Sequence, residues 1–166
     1  MNVAAAGGRL VAAVVVMLVM LWLAPLVGAR WGIGIDTQRL PSNPFRLYLH
    51  FKQDRSVQRG DYATFRIPDF APRFPEASLF VKQVAAVEGD RLEIVGQELY
   101  VNGRWMAHIN PVILARAGLH QSRLGDLDRV PPGRLLMMGS SGSSFDGRYF
   151  GLIGRDELQG KAVPLW

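Results

Sequence analysis

Residues 10–29 carry no charge: LVAAVVVMLVMLWLAPLVGA. This run constrains the fold more than any other feature. Twenty apolar residues at about 1.5 Å rise just cross a hydrocarbon core of about 30 Å. A buried helix of a soluble protein is a poor reading, because nothing polar marks an outer face. Trp22 and Trp31 suit an interfacial position toward the far end. Pro25 falls near the helix end, where a bend is tolerated. A cleaved signal peptide competes, since Val27-Gly28-Ala29 offers small residues where a cleavage site wants them. The run is longer than a usual signal h-region, which favours an anchor over residues 1–30 and a second unit over residues 31–166. Arg9 on one side and Arg30, Arg39 and Arg46 on the other barely decide its orientation.

The remaining length is enough for one domain. Of the 166 residues, 49% are hydrophobic, so a sizeable core is available. The net charge of +5 is spread over scattered arginines, with no dense basic block and no aromatic-basic interleaving. That pattern suits a solvated surface near anionic lipid head groups and argues against a nucleic-acid partner. The chain has no cysteine, so redox compartment is not written in it.

Past the anchor the pattern predicts strands. Residues 46–52 alternate through Leu47, Leu49 and Phe51. Residues 61–67 follow an Arg59-Gly60 turn, and 79–87 form a longer apolar run. Residues 91–95 and 98–101 flank Gly96, and Asn102-Gly103 is a strong two-residue hairpin signal. Residues 134–138 form another short strand. Residues 107–128 are less regular, with mixed helical and loop character. The expectation is a mainly β domain behind one transmembrane helix.

Two residues carry the chemistry. Ser42 lies in Leu40-Pro41-Ser42-Asn43-Pro44, and Lys82 lies in Phe80-Val81-Lys82-Gln83-Val84. A lysine among apolar groups loses hydration, so its ammonium form is disfavoured and its pKa falls. Neutral, it can take a serine proton without a histidine. Against this, Ser42 between two prolines suits a turn, and a lone strand lysine usually snorkels to water. A third segment reads Ser143-Ser144-Phe145-Asp146-Gly147-Arg148. On an extended backbone Asp146 and Arg148 would share a face, where they could pair or brace a loop. His50, His108 and His120 lack motif partners and read as structural or surface residues. No cluster has metal-ligand spacing, and no cofactor is expected.

In order, these segments resemble the boxes of the serine-lysine signal peptidases of class S26, in particular the TraF-like conjugative-transfer branch. Ser42-x-Pro44-x-x-x-Tyr48 is similar to the nucleophile box. Arg59-Gly60-Asp61 with Phe65, Lys82 with Gly89-Asp90, and Tyr100-Val101-Asn102-Gly103 resemble the boxes that follow. Ser144-x-Asp146-x-Arg148-Tyr149-Phe150-Gly151 resembles the last box, and Pro164-Leu165-Trp166 the TraF-like ending.

The resemblance implies a signal-peptidase-like β domain with Ser42 as nucleophile and Lys82 as general base. It implies that Ser144 holds the lysine amine and that Asp146 and Arg148 support that segment. The Ser42 N–H would donate to the oxyanion. Leu40 stands where many leader peptidases place a serine that completes the oxyanion hole, so the second donor would come from elsewhere or be missing. Asn43 replaces the methionine common in housekeeping leader peptidases, which favours the TraF-like branch.

The resemblance further implies a peptidase at the bacterial inner membrane with its catalytic domain on the periplasmic side. Its partner would be a pilin precursor or another membrane-embedded preprotein. The pilin would lose a C-terminal stretch and be joined head to tail through an acyl-enzyme. A general leader peptidase and a non-enzymatic pilus assembly protein are the alternatives.

Overall fold

The computed structural model describes residues 3–66, 79–125 and 127–166. The elements in chain order are α1 (Val3–Arg30), β1 (Trp31–Ile35), β2 (Leu47–Lys52), β3 (Tyr62–Arg66) and β4 (Leu79–Val87). They continue with β5 (Leu92–Val95), β6 (Glu98–Val101), β7 (Arg104–His108), α2 (Pro111–Arg116) and β8 (Arg134–Met138). The last are α3 (Gly147–Phe150), β9 (Ile153–Gly154) and β10 (Leu158–Pro164). The domain is mainly β, as the alternation predicts. The expected strand over 61–67 is observed as β3, and its last position lies outside the described residues.

Helix α1 includes a 20-residue stretch, Val11–Arg30, long and apolar enough to cross a membrane, with none of it buried in the protein. It passes into β1 with no intervening loop. Among the described residues, seven strands form one sheet in the order β1-β2-β10-β3-β4-β8-β9, and β5-β6-β7 form a second. Every strand pairing is antiparallel. Hairpin β6–β7 turns at Asn102-Gly103, both at positive φ, the conformation a tight primed turn requires. Strand β7 extends to His108, so the irregular stretch expected from residue 107 begins slightly later. It holds α2, capped by the Asn110 side chain on the Val112 N–H at 2.9 Å.

Side chains alternate along β4, so Phe80, Lys82 and Val84 share one face. Phe80 and Val84 pack into a core cluster with Ala63, Phe65, Leu135 and Met137. A register shift between Val84 and Ala86 breaks the alternation, and Ala86 joins Leu136 and Met138 of β8 in a second cluster under the β5–β7 sheet. Lys82 therefore stands within an apolar row, opposite Ala63 of β3.

Candidate active site

Lys82 is 1% exposed. Its Nζ donates to Ser144 Oγ at 2.8 Å and lies 5.3 Å from the Phe80 ring centroid. Burial pushes its pKa down to about 8. Asp146 and Asp36 oppose that shift, and Arg148 adds to it. Desolvation dominates because the apolar row offers the ammonium little in place of water.

Ser42 is buried in the loop between β1 and β2. It lines the same cavity as Lys82, of about 340 Å³, together with Asp36, Tyr48, His50 and Thr64. Lys82 Nζ is hydrogen-bonded to Ser144 and not to Ser42. The loop after β8 holds the Ser42 backbone: its carbonyl accepts from Ser141 N–H at 3.1 Å and from Ser140 Oγ at 3.4 Å.

That loop is organised by a buried ion pair. Asp146 and Arg148 sit at a turn of helix, with Asp146 capping α3. They are not on an extended segment, and the cap explains why: the Asp146 carboxylate takes the Arg148 N–H at 3.2 Å. It also accepts Arg148 Nε and Nη2, each at 2.8 Å, and the Gly139 N–H at 2.9 Å. The remaining guanidinium donors reach the carbonyls of His108, Ser141 and Ser144. A fully buried pair is tolerated only with such satisfaction. The structure thus brings Lys82, Ser144, Asp146 and Arg148 into one connected cluster, with Ser42 across the shared cavity.

The family model "Signal peptidase, peptidase S26" matches residues 6–166. The chain belongs to this family. It is 31% identical over 155 residues to the conjugal transfer protein TraF of Agrobacterium fabrum, covering 80% of this chain and 82% of that one. It is 27% identical over 151 residues to the plasmid transfer protein TraF of Escherichia coli, with 80% and 83% covered. A signal peptidase I from Enterococcus faecalis aligns structurally with a TM-score of 0.42 at 20% identity, over 66% of this chain and 98% of that one.

Several residues of this S26-family site escape a sequence reading. Gly139 allows close approach: a Cβ there would collide with the Ser144 side chain and stand 2.7 Å from the Ser42 carbonyl oxygen. A glycine ending an apolar strand is the available signal. Asn43 is 4% exposed. Its Nδ2 donates to the carbonyl of Val81, the neighbour of Lys82, at 2.8 Å. That bond ties the Ser42 loop to β4, while Asn43 Oδ1 is buried with no hydrogen-bond partner among the described residues. His50 lies in the cavity wall, paired with Thr64 Oγ1 at 2.7 Å. Its place in that wall was not legible in the sequence.

Proposed function

We propose that this TraF-like S26 protein is a membrane-anchored serine endopeptidase working through Ser42 and Lys82 on a conjugative pilin precursor. The observation that carries the reading is Lys82: a lysine 1% exposed, lowered to about 8 and fixed by Ser144 beside a cavity that it shares with Ser42. A structural lysine gains nothing from such a position. A general base gains a lone pair near neutral pH.

In the proposed reaction Ser42 Oγ attacks the scissile carbonyl as its proton passes to Lys82 Nζ. The carbonyl electrons move to oxygen, where the Ser42 N–H, which makes no hydrogen bond among the described residues, donates to the oxyanion. The C–N bond then breaks, the lysine returns the proton to the leaving amine, and an ester on Ser42 remains. Water gives a linear product. The amino terminus of the same pilin, attacking instead, gives a ring. Ser144 aims the amine, and Asp146 and Arg148 fix the loop that carries Ser144. Ser42 and Lys82 close to hydrogen-bond distance with substrate, since such contacts are often loose without it.

The anchor is residues 1–30 and the catalytic domain residues 31–166, on the periplasmic side of the inner membrane. Trp31, Ile33 and Ile35 project from β1 directly after α1, and Leu40, Leu165 and Trp166 are also exposed. This apolar surface beside the Ser42 loop supports a site held close to the bilayer, where a membrane-embedded precursor is presented.

Mass spectrometry of the pilin made with the parent protein, Ser42→Ala and Lys82→Ala tests the reading. The expected parent product is shortened and one water lighter than the linear chain, with both variants leaving the precursor intact. A shortened linear product points to plain leader-peptidase hydrolysis. Processing by Ser42→Ala at the parent rate overturns the peptidase reading.

A further inference from the structure

Ser42 lines a second cavity besides the one that it shares with Lys82. This groove, of about 400 Å³, runs from Leu40 and Phe80 to the wall formed by α2 and the loop after β8. Lys82 is absent from its lining, so Ser42 stands where two cavities meet and the lysine serves one of them. A peptide with its carbonyl at Ser42 has two halves to accommodate, one on each side of the scissile bond. Phe80 lines both cavities, giving a continuous apolar floor past the serine.

The chemistry of the second groove is asymmetric. Leu40, Phe80, Val112 and Ile113 provide apolar surface. Arg116, at the last turn of α2, is the one charged residue in the lining among the described residues. Among the described residues it makes no ion pair or side-chain hydrogen bond, and no carboxylate lines the groove to neutralise it. Of the other polar groups there, Asn110 caps α2 and Ser143 meets Ser141 at 2.8 Å, while Gln38 is neutral and exposed.

We infer that this groove binds the leaving-side segment of the substrate, and that Arg116 selects a carboxylate carried within its first few residues. An unneutralised guanidinium at the edge of an apolar slot attracts an anion and repels an ammonium. The same groove would then hold the departing fragment after the C–N bond breaks, delaying whichever amine or water resolves the ester. The inference rests on the proposed peptidase reading and takes the Lys82 cavity as the place of the acyl half of the substrate.

Two measurements on the full-length protein in detergent test it. The first offers a proteome-derived peptide mixture and reads the residues flanking each cleaved bond by mass spectrometry. Asp, Glu or a C-terminal carboxylate should be enriched within three positions after the cut. Arg116→Gln should remove that enrichment by about two- to fivefold, the scale of a partly exposed ion pair, and Arg116→Glu should favour Lys and Arg instead. Acyl-side preferences should not change. A peptide set with free or amidated C-termini, with and without one internal Glu, distinguishes terminal from side-chain carboxylate.

The second measurement is direct binding of the tripeptides Ala-Glu-Ala and Ala-Lys-Ala, both amidated, to Ser42→Ala. It needs no catalysis, so it decides the groove even where the peptidase reading fails. Preference for the Glu peptide, lost in Ser42→Ala/Arg116→Gln, supports the inference. Equal binding of both peptides, or a preference untouched by Arg116→Gln, overturns it.

Discussion

Lys82→Met should make the protein more stable at neutral pH, and the gain should disappear as pH rises. In the folded protein the lysine titrates at about 8, against an ordinary value of 10.5. At about 1.4 kcal/mol per tenfold change, that gap corresponds to about 3 kcal/mol. The sign follows from proton uptake. Between about 8 and 10.5 the unfolded chain holds a proton that the folded chain has lost, so folded stability rises with pH through that window. Below it the buried ammonium is present in the parent alone, which carries the full penalty.

Methionine has similar length and no charge. It leaves Ser144 Oγ without the Lys82 donor, at about 1 kcal/mol. Net stabilisation near pH 7 should therefore be about 2 kcal/mol. The Met-minus-Lys difference should fall by about 3 kcal/mol between pH 7 and 11. Burial raises Tyr48, Tyr62 and Tyr149 above the ordinary tyrosine value, but alike in both proteins, so the difference isolates position 82. Denaturant unfolding of parent and Lys82→Met, in the same detergent across that range, supplies the measurement. A difference that stays constant with pH would refute a lowered lysine, and with it the physical basis for a general base at this position.

Two further outcomes are expected. Gly139→Ala should slow labelling of Ser42 by a fluorophosphonate probe about 10²-fold, because its methyl displaces Ser144 and the Ser42 carbonyl; labelling at the parent rate would show that the loop relaxes freely. Asn43→Leu should stay within about 1 kcal/mol of the parent in stability, since it removes the orphaned Oδ1 while freeing the Val81 carbonyl. The same labelling assay should nonetheless slow, and an unchanged rate would remove Asn43 as a positioning residue.

The elements legible in the sequence are those fixed by local physics. The uncharged run became α1, and Asn102-Gly103 became the β6–β7 turn. Strands β1 and β10 gave no comparable signal. WGIGI and LQGKAVP carry glycine, which strands disfavour, and both are held by pairing with β2 from its two sides. Glycine is required at residue 160, where a Cβ would collide with the Phe51 carbonyl; that contact exists only once the sheet is assembled. For the candidate site, motif order singled out Ser42, Lys82, Ser144, Asp146 and Arg148. It could not give the helical turn at Asp146, because the turn depends on a cap and on carbonyls supplied by residues 108, 141 and 144.

The Asp146–Arg148 pair also bears on the lysine electrostatically. Asp146 pulls the Lys82 pKa up and Arg148 pushes it down, so the pair acts at the amine largely as a dipole and burial sets the outcome. Removing one partner breaks that cancellation. Arg148→Met leaves the Asp146 carboxylate acting alone, which stabilises the ammonium and should move the alkaline rise of Ser42 labelling above about 8. Asp146→Asn should move it the other way. Each single change also leaves a buried charge uncompensated, at about 3–5 kcal/mol, so labelling is read only on protein that retains the parent's folded spectrum. The double variant Asp146→Asn/Arg148→Met removes both charges and should return the midpoint close to the parent's even where the loop is looser. Midpoints that shift in the same direction in both single variants would show that loop disorder, and not the balance of the two charges, controls the lysine.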